Sequence, residues 1–168
     1  SGHGRYVLDA LAAEALPESV RLRDYSPINV AAGQALIAER GLQKVATFDE
    51  VNAYERANYQ NLNPRPTLGI VSGLHELFPD NDLILQSLYG FGDAIEPGGY
   101  LIYTGQPWHP QLEMIARCLS SHREGQDWVM RRRSQQEMDQ LVEKAGFEKV
   151  HQWIDDDGIF TVSLAVKK

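Results

Sequence analysis

The chain has 168 residues and a mass of 18.9 kDa, 43% of them apolar, which suits one hydrophobic core and leaves no need for a second domain. Its single cysteine, Cys118, excludes an internal disulfide and a thiolate zinc cluster, and points to a reducing compartment, the cytoplasm. Sixteen basic against 23 acidic residues, a net charge of −7, argue against a broad nucleic-acid footprint; no apolar run approaches the ~20 residues of a membrane span, and no leader-like segment opens the chain.

Val7, Leu8, Leu11, Ala12 and Ala15 recur at helical spacing, so the chain opens on a helix from Arg5 to about Ala15, closed by Pro17. Val20 to Arg23 reads as a short strand ending at Asp24. Ser26 and Pro27 then serve as N-cap and first residue of a second helix, with Ile28, Ala31, Ala35 and Leu36 as its core stripe and Gly41-Leu42 as a Schellman-type stop. Val45 to Phe48 starts a weaker strand. Leu68 to Val71 is a continuous apolar run, expected to be buried on both faces. A helix follows through Leu83, Leu88 and Phe91 to Ile95, and Pro97-Gly98-Gly99 turns the chain into a second buried strand, Tyr100 to Thr104. Cys118 falls in a helical pattern with Ile115 and Leu119, as a small core residue would. Ser134 and Glu137 form a capping box before Met138, Leu141 and Val142, with Gly146 as the stop. Alternation at Val150, Gln152 and Ile154, a turn at Asp155 to Gly158, and alternation again at Phe160, Val162, Leu164 and Val166 make an antiparallel hairpin. The expected architecture is α/β, Rossmann-like, with a mostly parallel sheet and a C-terminal antiparallel hairpin.

Ser1-Gly2-His3-Gly4 ends where the first helix begins, so a glycine turn there can aim backbone N–H groups at a cofactor, although a flexible terminus has the same composition. Asp24 lies 20 residues beyond Gly4 at a strand end, where a carboxylate can accept both hydroxyls of a ribose. The third glycine of a dinucleotide fingerprint is replaced by Val7, which disfavours a nicotinamide cofactor.

On these residues the chain resembles the class I S-adenosylmethionine-dependent methyltransferases: SGHGRYVL is similar to the second half of their glycine-rich motif I, RLRDYSP to their acidic-ended second strand, and the 150–166 hairpin to their antiparallel last strand. RLRDYSPINVAAGQALIAERGL, IVSGLHELFPDN, EPGGYLIYTGQPWHPQLEMIAR and VMRRRSQQEMDQLVEKAGF resemble, more narrowly, the methyltransferase domain that bacterial proteins carry C-terminal to an α/β-hydrolase-like region. The resemblance implies a seven-stranded sheet and bound S-adenosyl-L-methionine, with Gly2 and Gly4 against its methionine and ribose, Asp24 on the ribose and Tyr25 on adenine. Asn52 and Ala53 stand where the family has an acidic residue and its neighbour; the Asn52 amide oxygen can still accept from the adenine amino group. It also implies that the first, central strand precedes Ser1. Residues 1–168 are therefore expected to be a single, N-terminally truncated methyltransferase-like domain, binding the cofactor weakly without its upstream part. Either another segment or a second molecule is expected to add a strand between those ending at Asp24 and Ser72, or an upstream strand outside these residues fills that place.

Ligands of open α/β sheets bind beyond the carboxyl ends of the strands, which selects Ser72 to Glu76 and Thr104 to His109. His75 is a candidate general base, with Glu76 orienting it or acting itself; a polar residue at a helix start is the plainer reading of His75. Trp108 and His109, between Pro107 and Pro110, belong to a substrate-facing loop or to a Trp closing the core. Arg131 and Arg133, flanking Arg132, can hold a carboxylate or phosphate in bidentate fashion or form a solvated edge; in an extended segment alternate members face opposite ways. The five histidines have no metal-ligand spacing, and no metal site is expected. Two functions remain open: methyl transfer to a small-molecule or lipid-like acceptor, and a non-catalytic regulatory or interaction module that keeps the fold.

Overall fold

A computed structural model describes residues 2–13, 16–120, 127–128 and 130–168. The chain divides into two compact units, residues 1–53 and 54–168.

In the first unit, α1 (Arg5–Ala13), β1 (Val20–Asp24), α2 (Pro27–Glu39) and β2 (Ala46–Glu50) follow one another, and the two strands pair in parallel from Val20↔Ala46 to Asp24↔Glu50. The expected end of the first helix, at Ala15, lies outside the described residues. Ser26 caps α2, its hydroxyl accepting the Asn29 N–H at 3.5 Å. At the other end Leu42 N–H bonds Ile37 C=O at 3.0 Å and Gly41 N–H bonds Ala38 C=O at 3.1 Å, the two bonds of a Schellman motif, with Gly41 at φ +68°. The buried stripe differs from the expected one. Val30, Gly33, Leu36 and Ile37 face inward, whereas Ile28 is 78% exposed and Ala31 and Ala35 lie outside. Gly33 decides this, because the Phe48 ring occupies the space its side chain would take: a Cβ there would come within 2.0 Å of Phe48 Cδ1. Gly33→Ala is therefore expected to destabilise the protein by about 1–3 kcal/mol despite the better helix propensity of alanine, as a lower denaturant midpoint will show.

The second unit holds β3 (Leu68–Val71), α3 (Asn81–Ala94), β4 (Tyr100–Gly105), α4 (Leu112–Cys118), α5 (Gln135–Lys144), β5 (Phe147–Ile154) and β6 (Thr161–Lys167), with 3₁₀ turns at Arg56–Tyr59 and His75–Leu77. Its sheet has the order β3-β4-β6-β5, parallel between β3 and β4 and antiparallel thereafter. The hairpin thus stands where the alternation put it. Its turn is held by Asp155 Oδ1, which accepts the N–H groups of Ile159 and Phe160 at 2.7 and 2.8 Å. Asp80 caps α3, and Ser134 caps α5 by accepting the Glu137 N–H at 3.1 Å.

Ile84 and Leu88 of α3 and Met138, Leu141 and Val142 of α5 pack on one face of this sheet, against Val71, Leu101, Tyr103, Phe147 and Ala165. The expectation that β3 and β4 are buried on both faces is corrected: Leu68, Ile70 and Tyr100 on the opposite face are exposed. The same parity inverts the hairpin. Thr161, Ser163 and Ala165 point into the core, while Phe160 and Val162 are exposed and Leu164 and Val166 half-buried. The inward hydroxyls are matched by α5: Thr161 donates to Gln135 Oε1 at 2.8 Å, and Gln135 Nε2 donates to Asp139 Oδ1 at 2.7 Å and to Ser163 Oγ at 3.4 Å. Asp139 also accepts from Tyr103 Oη at 2.8 Å and pairs with Lys149. Val150 is the extra residue of a β-bulge between Lys149 and His151.

Cys118 is exposed at the end of α4, a helix with no buried residue, and is not the core residue its spacing suggested. Among the described residues β1 has one strand partner, β2, and β3 has one, β4. No helix among them is long and apolar enough to cross a membrane.

Candidate functional site

The candidate residues fall into two groups, one in each unit. In the first, the carboxylate of Asp24 closes β1 and meets the glycine turn: Oδ2 accepts the Gly2 N–H at 2.9 Å, and Oδ1 accepts the Ser26 N–H at 2.9 Å and the Asn29 side-chain amide at 3.2 Å. Gly2 and Gly4 both have positive φ, +53° and +68°. A side chain at Gly2 would meet nothing, so its role is conformational; at Gly4 a Cβ would lie 2.6 Å from Leu22 Cδ1, so the turn lies tight against β1. Tyr25 follows, 75% exposed. Asn52 and Ala53 come just after β2, where Val51 N–H bonds Asp24 C=O at 2.9 Å.

In the second unit the ends of β3 and β4 are tied together by a short relay. Gly73 N–H donates to Thr104 Oγ1 at 2.9 Å, and the Thr104 hydroxyl donates to Glu76 Oε1 at 3.2 Å. Burial pushes the Glu76 carboxyl up, opposed by hydrogen bonds from its own backbone and Thr104 and by the charges of Arg132 and Arg133. Its second oxygen, Oε2, is hidden from solvent and has no hydrogen-bond partner among the described residues. His75, Glu76, Thr104, Gln106, Arg133 and Gln135 line one small pocket. Ser72 is exposed at the end of β3.

His75 is 3% exposed, and its Nε2 is engaged with Ser87 Oγ at 3.2 Å. Burial, aided by the Arg133 cation, pushes its pKa down to about 3, so the ring is neutral at pH 7. This corrects the expectation of a general base there: the ring is closed off, and its Nε2 already has a partner. The basic run divides by parity. Arg133, 7% exposed, donates to His75 C=O at 2.8 Å, Phe78 C=O at 2.9 Å and Asn81 Oδ1 at 2.7 Å. Arg131 donates to Pro79 C=O at 2.7 Å and pairs with Glu137. Both fasten residues 75–81 to the start of α5, so Arg133 is a buried tie and not a solvated edge, and an anion bound there would share donors already in use. Arg132, which the sequence did not single out, has Nε, Nη1 and Nη2 hidden from solvent and without hydrogen-bond partners among the described residues. In the loop after β4, Trp108 is 56% exposed, while His109 Nδ1 accepts the Gln111 N–H at 3.1 Å and shapes the approach to α4. Among the described residues no metal-binding cluster of His, Cys, Asp or Glu is found.

Comparison with known proteins gives this arrangement its context. The family described as "Putative methyltransferase" matches residues 1–167. The "Uncharacterized protein YnbC" of Escherichia coli (strain K12) is 60% identical over 168 residues, which are all of this chain and 29% of that protein, so the chain spans under a third of that relative's length. A SAM-dependent methyltransferase from Methanosarcina mazei is similar in structure, with a TM-score of 0.73 at 19% identity, over 99% of this chain and 88% of that one. So is the magnesium protoporphyrin IX methyltransferase of Synechocystis PCC 6803, solved with bound SAH, with a TM-score of 0.73 at 14% identity over 99% and 70% of the two chains. At these identities the likeness is one of fold, and the family match covers nearly every residue. The chain belongs to the "Putative methyltransferase" family and has the class I fold of the S-adenosylmethionine-dependent methyltransferases.

Proposed function

We propose that this chain is a single methyltransferase-like domain that binds S-adenosyl-L-methionine and methylates a small-molecule or lipid-like acceptor, within a longer protein that carries a hydrolase-like region upstream. The observation that supports it most is the Asp24 carboxylate at the end of a parallel strand, facing a glycine turn at the start of a helix. The residues present fit the cofactor. Asp24 closes β1 with a carboxylate, an acceptor of the kind that a ribose hydroxyl donates to. Gly2 and Gly4 bring backbone close to the methionine-ribose portion, the open Tyr25 ring offers adenine a face, and Asn52 an amide oxygen. Ala53, beside Asn52, completes the binding set of the first unit.

Bound S-adenosylmethionine supplies an electrophilic methyl on a sulfonium centre. Positioning and proton removal are then the protein's share. Glu76 is the better proton acceptor of the two candidates, since its hidden oxygen has no hydrogen-bond partner among the described residues and burial raises its pKa, whereas the His75 ring is buried and engaged with Ser87. Trp108, exposed in the loop after β4, and His109 are the residues offered to the acceptor in this reading.

Calorimetry on the intact protein is the test. Heat with S-adenosylmethionine and S-adenosylhomocysteine supports the reading; heat with NAD and neither of these overturns it. Asp24→Ala should weaken cofactor binding by about 1.5–3 kcal/mol, the range for hydrogen bonds to a charged group. Asp24→Asn, which keeps an acceptor for Ser26 and Asn29, should lose most of the same affinity without the loss of fold. Undiminished binding in both variants moves the ribose site elsewhere.

A further inference from the structure

The sheet of the second unit is packed by α3 and α5 on one face, and its other face carries the more apolar side chains. Cross-strand partners share a face, so two apolar rows cross β3, β4 and β6 there: Leu68, Tyr100 and Val166, then Ile70, Ile102 and Leu164. On β5 these rows end at the exposed polar residues Glu148 and His151, and a third row pairs Val162 with Trp153. Leu68, Tyr100 and Trp153 are close to half exposed. An apolar patch that runs unbroken over three strands is the mark of an interaction surface. The parallel β3–β4 pair points the same way, since sheets with parallel strands are characteristically covered by helices on both faces.

We propose that this face docks an amphipathic helix from the part of the same protein that precedes Ser1. This rests on the reading above of a longer protein with further sequence upstream. The Escherichia coli relative has more than two-thirds of its length outside the matched region, ample chain for such a helix. Strands about 4.8 Å apart make the three-strand stripe about 10–14 Å wide, which fits one helix of about 10–12 Å diameter. The helix presents apolar residues at i, i+3, i+4 and i+7 to the two rows and a lysine or arginine to Glu148 on the rim. A second copy fits less well, because it would bring together two chains of net charge −7. Before the helix docks, only the α5 side of β6 is covered.

The test places photoreactive benzoylphenylalanine in the intact protein at Tyr100 or, separately, at Trp153, aromatic positions on this face, and at exposed Met114 of α4 as control. Irradiation and peptide mapping are expected to join the first two positions to one segment before Ser1, and the control to none of it. A cross-link to a second molecule, to residues 1–53 or to sequence beyond Lys168 overturns the proposal, as does the absence of any cross-link. Radical oxidation of the unaltered protein gives an independent measure. Within residues 1–168 Trp153 and Trp108 are similarly exposed, 51% and 56%, so under a docked helix Trp153 should oxidise several-fold more slowly than Trp108; equal rates overturn the proposal. Calorimetry with S-adenosylmethionine separates the two readings: heat together with an unprotected face sinks the docking alone, whereas a protected face without heat upholds the docking and sinks the methyl-transfer reading. An intact protein with nothing before Ser1 sinks the docking and the longer-protein reading together.

Discussion

Arg133→Met is expected to cost about 3–5 kcal/mol of folding stability, a large share of the ~5–15 kcal/mol available to a domain. The methionine stem replaces the buried hydrocarbon but none of the donors. Three acceptors, the carbonyls of His75 and Phe78 and the side chain of Asn81, then lose their partner where water cannot readily replace it. Arg133→Lys should recover little, because one ammonium cannot reproduce a fork that bonds in three directions. Arg131→Gln, at a half-exposed position paired with Glu137, should cost under about 1 kcal/mol. Urea unfolding with an unchanged slope and a lowered midpoint checks both. A mild loss at Arg133 would mean that residues 75–81 are held by something else.

The second large effect is a dependence on acid. His75 has a folded pKa of about 3 against an ordinary 6.5, the result of burial first and of the Arg133 cation second. A depressed folded value makes the neutral ring's contribution complete above pH 6.5 and draws it down as the pH falls toward 3, because the unfolded chain binds the proton that the folded one refuses. Through that window the slope approaches about 1.4 kcal/mol per pH unit from this group alone. His75→Asn retains a partner for Ser87 and cannot titrate, so its stability should fall less steeply between pH 6.5 and 4. Thermal melts at stepped pH measure this. Parallel profiles for the two proteins would show that the ring is not held neutral in the core.

Where the chain turns was legible because turns are written locally. Ser26, Gly41, Ser134 and Gly146 each act within a few residues of themselves, and the structure uses them as capping chemistry predicts. That Asp24 ends a strand was likewise legible, but its bond to the Gly2 N–H joins residues 22 apart and was not. Which face is buried was not. The α2 stripe turns on a phenyl ring that fills the space over Gly33, and nothing near Gly33 in sequence announces Phe48. In β3 and β4 an unbroken apolar run hides the fact that helices cover one side. The arginines show the same limit at the site. Their parity was readable, but which of them would find partners depended on carbonyls more than fifty residues away.

The inverted hairpin leaves hydrophobicity unable to choose its own alignment. Were β6 to slide by one residue, Phe160, Val162 and Leu164 would turn toward α5 and the hydroxyls outward, a swap that apolar burial alone would reward. The native alignment is selected by directional bonds, Thr161 and Ser163 to Gln135, and Asp139 to Tyr103 and Lys149, with the Val150 bulge fixing the count of residues along β5. Removing Gln135 or Asp139 would therefore do more than weaken the fold: it would open a second, nearly isoenergetic pairing, visible as doubled amide signals from the hairpin and as slow exchange between two strand alignments.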